Sequence, residues 1–343
     1  MFRSRFRAVL AIAALALVAV GSGNAAPARS TGLPAHIYAP YFETWSTDSI
    51  TTTAQDSGAR YFTLAFLETL SKTSCTLAWN GDKTQTTAAG RYLSDIASLR
   101  AVGGDVIPSF GGWSADQGGT EIADSCKDVN AIAAAYENLI TTYDVKRLDM
   151  DVEGRSLTRT DGIDRRNKAL KIVEDWAAAQ GRTLQVSYTV PTTPAGLEPT
   201  GIAILQNAIA NGTRVDVVNI MTFDYYDKVT TDMGGAAISA AQGLFNQLKA
   251  LYPARSDAQI WAMEGTTILP GIDDYPQKSE VTYLSDAQRL YDFAASVGIG
   301  TLSIWAIQRD NGGCPGSTDS NSCSGIVQNA WDFSHLLEPF TGP

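Results

Sequence analysis

Short apolar runs rich in β-branched and aromatic residues recur eight times along the chain, near 37–43, 60–68, 104–110, 145–152, 183–190, 214–222, 258–264 and 299–306. Helical patterns separate most of them: 131–143, 163–179, 202–210, 236–251 and 285–297 place apolar residues three and four apart. Strand followed by helix, repeated, implies parallel pairing, because a parallel neighbour needs a crossover long enough to hold a helix. Eight such units predict an α/β fold of the (β/α)8 TIM-barrel kind. No Pro/Gly/Ser linker marks a second domain. A doubly wound open sheet is the structural alternative.

The amino terminus stands apart. Met-Phe-Arg-Ser-Arg-Phe-Arg precedes an apolar run from Ala8 to Val20 and then a small-residue stretch, Gly-Ser-Gly-Asn-Ala-Ala-Pro-Ala. A basic start, a short apolar centre and small residues before a cut define a secretory signal peptide. The expected boundaries are residues 1–28 for the signal, with cleavage between Ala25 and Ala28, and 29–343 for the catalytic domain. No later stretch approaches 18 apolar residues, so no membrane span is expected. The mature protein is expected to be secreted, extracellular and monomeric.

Cleavage removes Arg3, Arg5 and Arg7 and no acid, which moves the formal charge from −10 to −13. Nucleic acid and anionic membrane are poor partners for such a chain, whose basic residues are scattered and outnumbered. A neutral or cationic ligand fits better. Cys75, Cys126, Cys314 and Cys323 allow three pairings in an exported protein. Cys75 with Cys126 and Cys314 with Cys323 is the favoured one, the second closing a short Gly/Ser/Asn-rich loop. None of the spacings is C-x-x-C, so zinc is not expected. Histidines occur only at His36 and His335, without a G-x-S-x-G elbow, which argues against a Ser-His-Asp hydrolase. No Walker or dinucleotide glycine pattern appears, and no cofactor or metal is expected.

Residues 148–154, Leu-Asp-Met-Asp-Val-Glu-Gly, put carboxylates at alternate positions. On an extended strand Asp149, Asp151 and Glu153 share one side, with Leu148, Met150 and Val152 on the other. Carboxylates two apart lie roughly 6 to 7 Å from each other, and each ionised pair repels by about 2.5 kcal/mol at an effective dielectric near 20. Roughly two pKa units are then available to hold a proton near neutral pH beside an ionised partner. A solvated acidic edge strand is the plain alternative, but a closed barrel has no edge, and groups at the ends of its strands gather at one rim. A calcium loop would need a Glu at its twelfth position, which is Thr160.

With these motifs in order, the chain resembles a family 18 glycoside hydrolase, a chitinase. The D-x-x-D-x-D-x-E signature of its fourth strand is met by Asp149, Asp151 and Glu153, with Lys146 in place of the first acid. S-x-G-G appears as Ser109-Phe110-Gly111-Gly112, followed by Trp113; Met221-Thr222-Phe223-Asp224-Tyr225 resembles the sixth-strand segment, with Phe223 where a Tyr is frequent; Ser303-Ile304-Trp305 resembles the eighth. The resemblance implies hydrolysis of β-1,4 bonds between N-acetylglucosamine units with retention, the substrate's own acetamido oxygen acting as nucleophile. It casts Glu153 as general acid/base, Asp151 as acceptor for the acetamido N–H, and Asp149 as its proton-sharing neighbour. Asp224 and Tyr225 would hold the acetamido oxygen. Tyr41, Trp113, Met221 and Trp305 would bind substrate, with Trp45 and Trp261 extending the cleft, since pyranose faces pack on aromatic rings. Trp176 and Trp331 read as core. Ser109 divides between bonding Asp149 and packing, and Asp273 with Asp274 between substrate contact and a loop turn. The expected ligand is chitin or N-acetylglucosamine oligosaccharides. The same carboxylates would serve an endo-β-N-acetylglucosaminidase on glycan cores, and a catalytically inactive chitinase-like lectin is the reading of another class.

Overall fold

The computed structural model describes Met1 and residues 32–274, 280–317 and 321–342, so the expected signal segment lies, apart from Met1, outside the described residues. Eight parallel strands follow one another: β1 (interrupted, Ile37–Tyr38 and Tyr41–Glu43), β2 (Tyr61–Thr69), β3 (Asp105–Gly111), β4 (Arg147–Asp151), β5 (Gln185–Pro191), β6 (Val217–Met221), β7 (Glu264–Ile268) and β8 (Thr301–Ile304). Each pairs with the next in parallel register. The first half of β1 pairs with β8 and the second half with β2, which closes the sheet on itself. Pro40 sits at the interruption, where its missing N–H takes nothing from the ladder while its carbonyl still accepts Thr63 N–H.

A helix follows each strand: α1 (Ile50–Ser57), α2 (Leu93–Ala101), α3 (Val129–Tyr143), α4 (Thr160–Ala179), α5 (Pro199–Asn211), α6 (Met233–Leu251), α7 (Leu284–Val297) and α8 (Asp332–Leu337). Their starts are written locally. Asp128 caps α3 by accepting from Asn130 N–H and Ala131 N–H, which would otherwise lack partners. The main apolar layer lies between strands and helices. Leu148, Met150 and Val152 of the β4 segment face it together with Ile132, Tyr136 and Leu139 of α3 and Leu170 and Val173 of α4, all buried. Burial of a side chain of this size is worth about 1.5–3 kcal/mol, so the outward face of β4 anchors the acids on its inward face.

One strand falls elsewhere than its sequence suggests. The run 258–264 predicts the seventh strand, but Asp257–Trp261 is helical and the strand begins only at Glu264. Ser256 and Gln259 form a reciprocal capping box that starts this helical turn, and local capping outweighs the strand-like look of Ile260 and Trp261. The strand itself, Glu-Gly-Thr-Thr-Ile, is too polar to stand out.

Both expected disulfides form: Cys75–Cys126 and Cys314–Cys323, with Cα separations of 4.8 and 6.0 Å. The first ties the loop after β2 to the segment before α3. No helix among the described residues is long and apolar enough to cross a membrane.

Candidate active site

A cleft of about 540 Å³ opens at the C-terminal ends of the strands, within the usual range for a ligand site. Asp151 and Glu153 lie in its wall, with Tyr41, Trp45, Trp113, Met221, Asp224 and Trp305.

Asp149 is deepest. Its carboxyl is buried inside the barrel and accepts hydrogen bonds from Ser109 Oγ (2.7 Å), Ser187 Oγ (2.7 Å), Thr189 Oγ1 (2.9 Å) and Tyr41 OH (3.0 Å). Strands β1 and β3 each send one hydroxyl to it and β5 sends two, because their inward-pointing positions face it. Burial pushes the acid up, and these four donors pull it back. Ser109 thus bonds Asp149 rather than merely packing. Burial also raises the Tyr41 hydroxyl well above its ordinary range, so it stays a neutral donor.

Asp151 sits one layer higher, buried, and its Oδ1 has no hydrogen-bond partner among the described residues. Burial first, then the charges of Glu153, Asp149 and Asp116, raises it well above the carboxylate range. Glu153 stands past the end of β4. Burial pushes it up to about 7, the Trp113 backbone N–H bonded to it opposes that, and Asp274 adds to it. One row of three carboxyls therefore meets three environments: saturated with donors, buried with an orphan oxygen, and poised at the rim.

The S-x-G-G turn brings the rim of β3 against that of β4. Gly112 N–H donates to the Asp151 carbonyl at 3.1 Å. A Cβ on Gly111 (φ 98°) would lie 2.2 Å from that same carbonyl oxygen, and one on Gly112 (φ 81°) 2.5 Å from the Phe66 ring. Only glycine fits both positions.

Across the cleft, β6 ends in Met221, and Asp224 turns in at a positive φ of 53°. Its N–H donates to Asp273 Oδ2 at 3.0 Å, while Tyr225 N–H and Tyr226 N–H donate to the two oxygens of Glu280. Asp224, Asp273 and Asp274 each bring a carboxyl oxygen within 4.8 Å of the others, a spacing a cation could bridge. Proton sharing serves as well: burial first, then hydrogen bonding and charge from Asp273 and Asp274, pushes Asp224 up to about 10. The pair Asp273 and Asp274 is therefore part of the site, Asp274 in the cleft wall and Asp273 buried behind it.

The floor is aromatic. Trp305 stacks on Phe66 at 5.5 Å and 16° and meets Tyr41 at 5.5 Å, and Trp45 stacks against the same Phe66 at 6.3 Å. Trp113 is 60% exposed at the rim.

The family model for glycosyl hydrolases family 18 matches residues 37–265, which spans β1 through the start of β7. The chain belongs to glycosyl hydrolases family 18. The chain is 32% identical to active domain 2 of a chitinase from Pyrococcus furiosus, covering 90% of this chain and 95% of that one with a TM-score of 0.79; that domain has also been solved with chito-oligosaccharides. Among curated relatives it is 35% identical over 326 residues to a probable bifunctional chitinase/lysozyme of Escherichia coli (strain K12), covering 90% of this chain. It is 36% identical over 287 residues, 81% of this chain, to Endochitinase 11 of Metarhizium anisopliae. The chain spans 35% and 53% of the length of these two relatives.

Two residues named for this family 18 site from sequence lie away from the cleft. The Tyr225 hydroxyl is buried behind the wall without a partner among the described residues, whereas Tyr226 lines the cleft. Trp261 stacks on Phe245 at 4.3 Å and meets Phe293, packed in the helix layer. Lys146, where the signature has an acid, bonds the Asp144 carbonyl and carboxylate at the foot of β4, away from the cleft. Sequence reasoning passed over Phe66, Glu68, Asn80 and Asp116. A search for polar residues at every strand end would have found Glu68; the others carry no pattern.

Proposed function

We propose that this family 18 protein is a secreted chitinase that hydrolyses β-1,4 bonds between N-acetylglucosamine units with retention, by substrate assistance. The observation that carries the reading is the graded row on β4: an acid at about 7 on the rim, beside a buried carboxyl with an oxygen unpartnered among the described residues, over a third held by four hydroxyls.

Glu153 gives its proton to the leaving glycosidic oxygen. The acetamido oxygen of the sugar in the cleft attacks the anomeric carbon from the opposite face, so no protein nucleophile is needed. Asp151 Oδ1 accepts the acetamido N–H as positive charge grows in the oxazolinium ring. Asp149 and Asp151 share one proton, which lets the pair follow the charge on Glu153 through the cycle. Asp224, protonated, is a donor for the acetamido oxygen, an orienting role. Trp305 on Phe66 offers the face on which the sugar packs. Water then opens the ring with Glu153 as base, and the product keeps the β configuration. Export is supported by the residue 1–28 segment and by the two disulfides.

Incubation with the N-acetylglucosamine tetramer beside an N-glycosylated glycoprotein tests the substrate. Disaccharide release from the tetramer supports a chitinase. Glycan release from the glycoprotein alone would assign an endo-β-N-acetylglucosaminidase.

A further inference from the structure

The short helix Trp113–Gly118 grips the Glu153 residue twice. The Trp113 backbone N–H bonds its carboxyl, and the Asp116 carboxyl accepts its backbone N–H. Asp116 is itself only 1% exposed, and its own N–H is fixed to the Gly112 carbonyl at 3.0 Å. Its second oxygen, Oδ1, has no partner among the described residues and lies beside Gly111. Glu121, which is tied to the buried Arg166 by an ion pair of 3.0 Å, faces it from the following turn. A carboxyl is costly to bury in such a place unless it has work to do.

We propose that Asp116 is a positioning residue for the acid: its Oδ2 fixes the Glu153 backbone N–H and so sets the direction in which the Glu153 side chain leaves the rim of β4. The inference rests on the reading of Glu153 as the proton donor. Glu153 lies beyond the last ladder pair of β4, Asp151 with Thr189, so strand pairing does not hold its side-chain direction. Asp116 supplies that hold from β3's side. Burial raises the Asp116 carboxyl well above its ordinary range, with the Glu121 charge adding to it, so it serves as a neutral acceptor.

The test is steady-state hydrolysis of the N-acetylglucosamine pentamer by wild type, Glu153→Gln, Asp116→Ala and Asp116→Asn, with thermal melts of each. Asp116→Ala is expected to lose about 100-fold in kcat with KM within about threefold, the signature of a misaimed acid and not of lost binding. Asp116→Asn offers an amide oxygen to the same N–H and is expected to stay within about threefold of wild type in kcat. Wild-type kcat in Asp116→Ala, or an Asn variant as damaged as the Ala variant, overturns the proposal. If the Ala variant does not fold, Asp116→Ser, whose hydroxyl is too short to reach, takes its place with the same two readings. No turnover by wild type, or full turnover by Glu153→Gln, would instead remove the reading of Glu153 and the inference with it.

Discussion

Tyr41 OH donates to Asp149 Oδ2 at 3.0 Å across the barrel interior, joining β1 to β4 beneath the cleft. This bond draws the deep carboxyl down against a burial effect that pushes it up. Tyr41→Phe removes one of four donors, so Asp149 holds its proton to higher pH. The acid limb of the kcat profile is expected to move upward, with kcat lowered about tenfold, in line with about 1–3 kcal/mol for an unmade buried hydrogen bond. An unmoved limb would separate Asp149 from the chemistry.

Glu153, raised to about 7, is protonated below that pH and loses its proton above it. A general acid must be protonated, so kcat/KM is expected to decline as pH rises through about 7. A decline starting near the ordinary glutamate range would mean that burial does not tune this group.

Glu264 is buried in β7 with both oxygens unpartnered among the described residues, and burial alone raises it to about 9. In the unfolded chain it ionises near 4.3, so the native state binds the extra proton between the two values and stability is lost as pH rises through that window. Glu264→Gln cannot ionise. Relative to wild type, its melting temperature is expected to be several degrees higher at pH 8 than the same comparison gives at pH 4. A difference independent of pH would contradict this.

The two disulfides close loops of different size, with sequence separations of 51 and 9. On chain-entropy grounds they restrict the unfolded state by about 4 and about 3 kcal/mol. Cys75→Ser with Cys126→Ser is expected to lower the denaturation midpoint more than Cys314→Ser with Cys323→Ser. The reverse order would place the larger effect in the folded state.

Legibility in the sequence followed periodicity. Asp149, Asp151 and Glu153 were readable because a strand alternates strictly, and the apolar partners Leu148, Met150 and Val152 fixed which side was inward. Glu264-Gly-Thr-Thr-Ile was not, since a strand with one isoleucine and a buried acid has no apolar run to betray it. Tyr226 in the cleft wall was not legible for a local reason: positive φ at Asp224 and Tyr226 breaks the alternation that extrapolation from β6 assumes. Trp261 misled because an aromatic beside a strand end looks the same whether it faces a cleft or Phe245. Asp116 and Phe66 belong to no spacing: the pairing of β3 with β4 brings Asp116 to Glu153, and the closure of the barrel brings Phe66 to Trp305.

The most direct measurement is hydrolysis of the N-acetylglucosamine pentamer by the wild-type protein and by Glu153→Gln, with products resolved by mass and by anomer as they form. The account predicts β-anomeric disaccharide from wild type and a loss of several orders of magnitude in the variant. An α-anomeric product, or a Glu153→Gln enzyme that turns over like wild type, would contradict it.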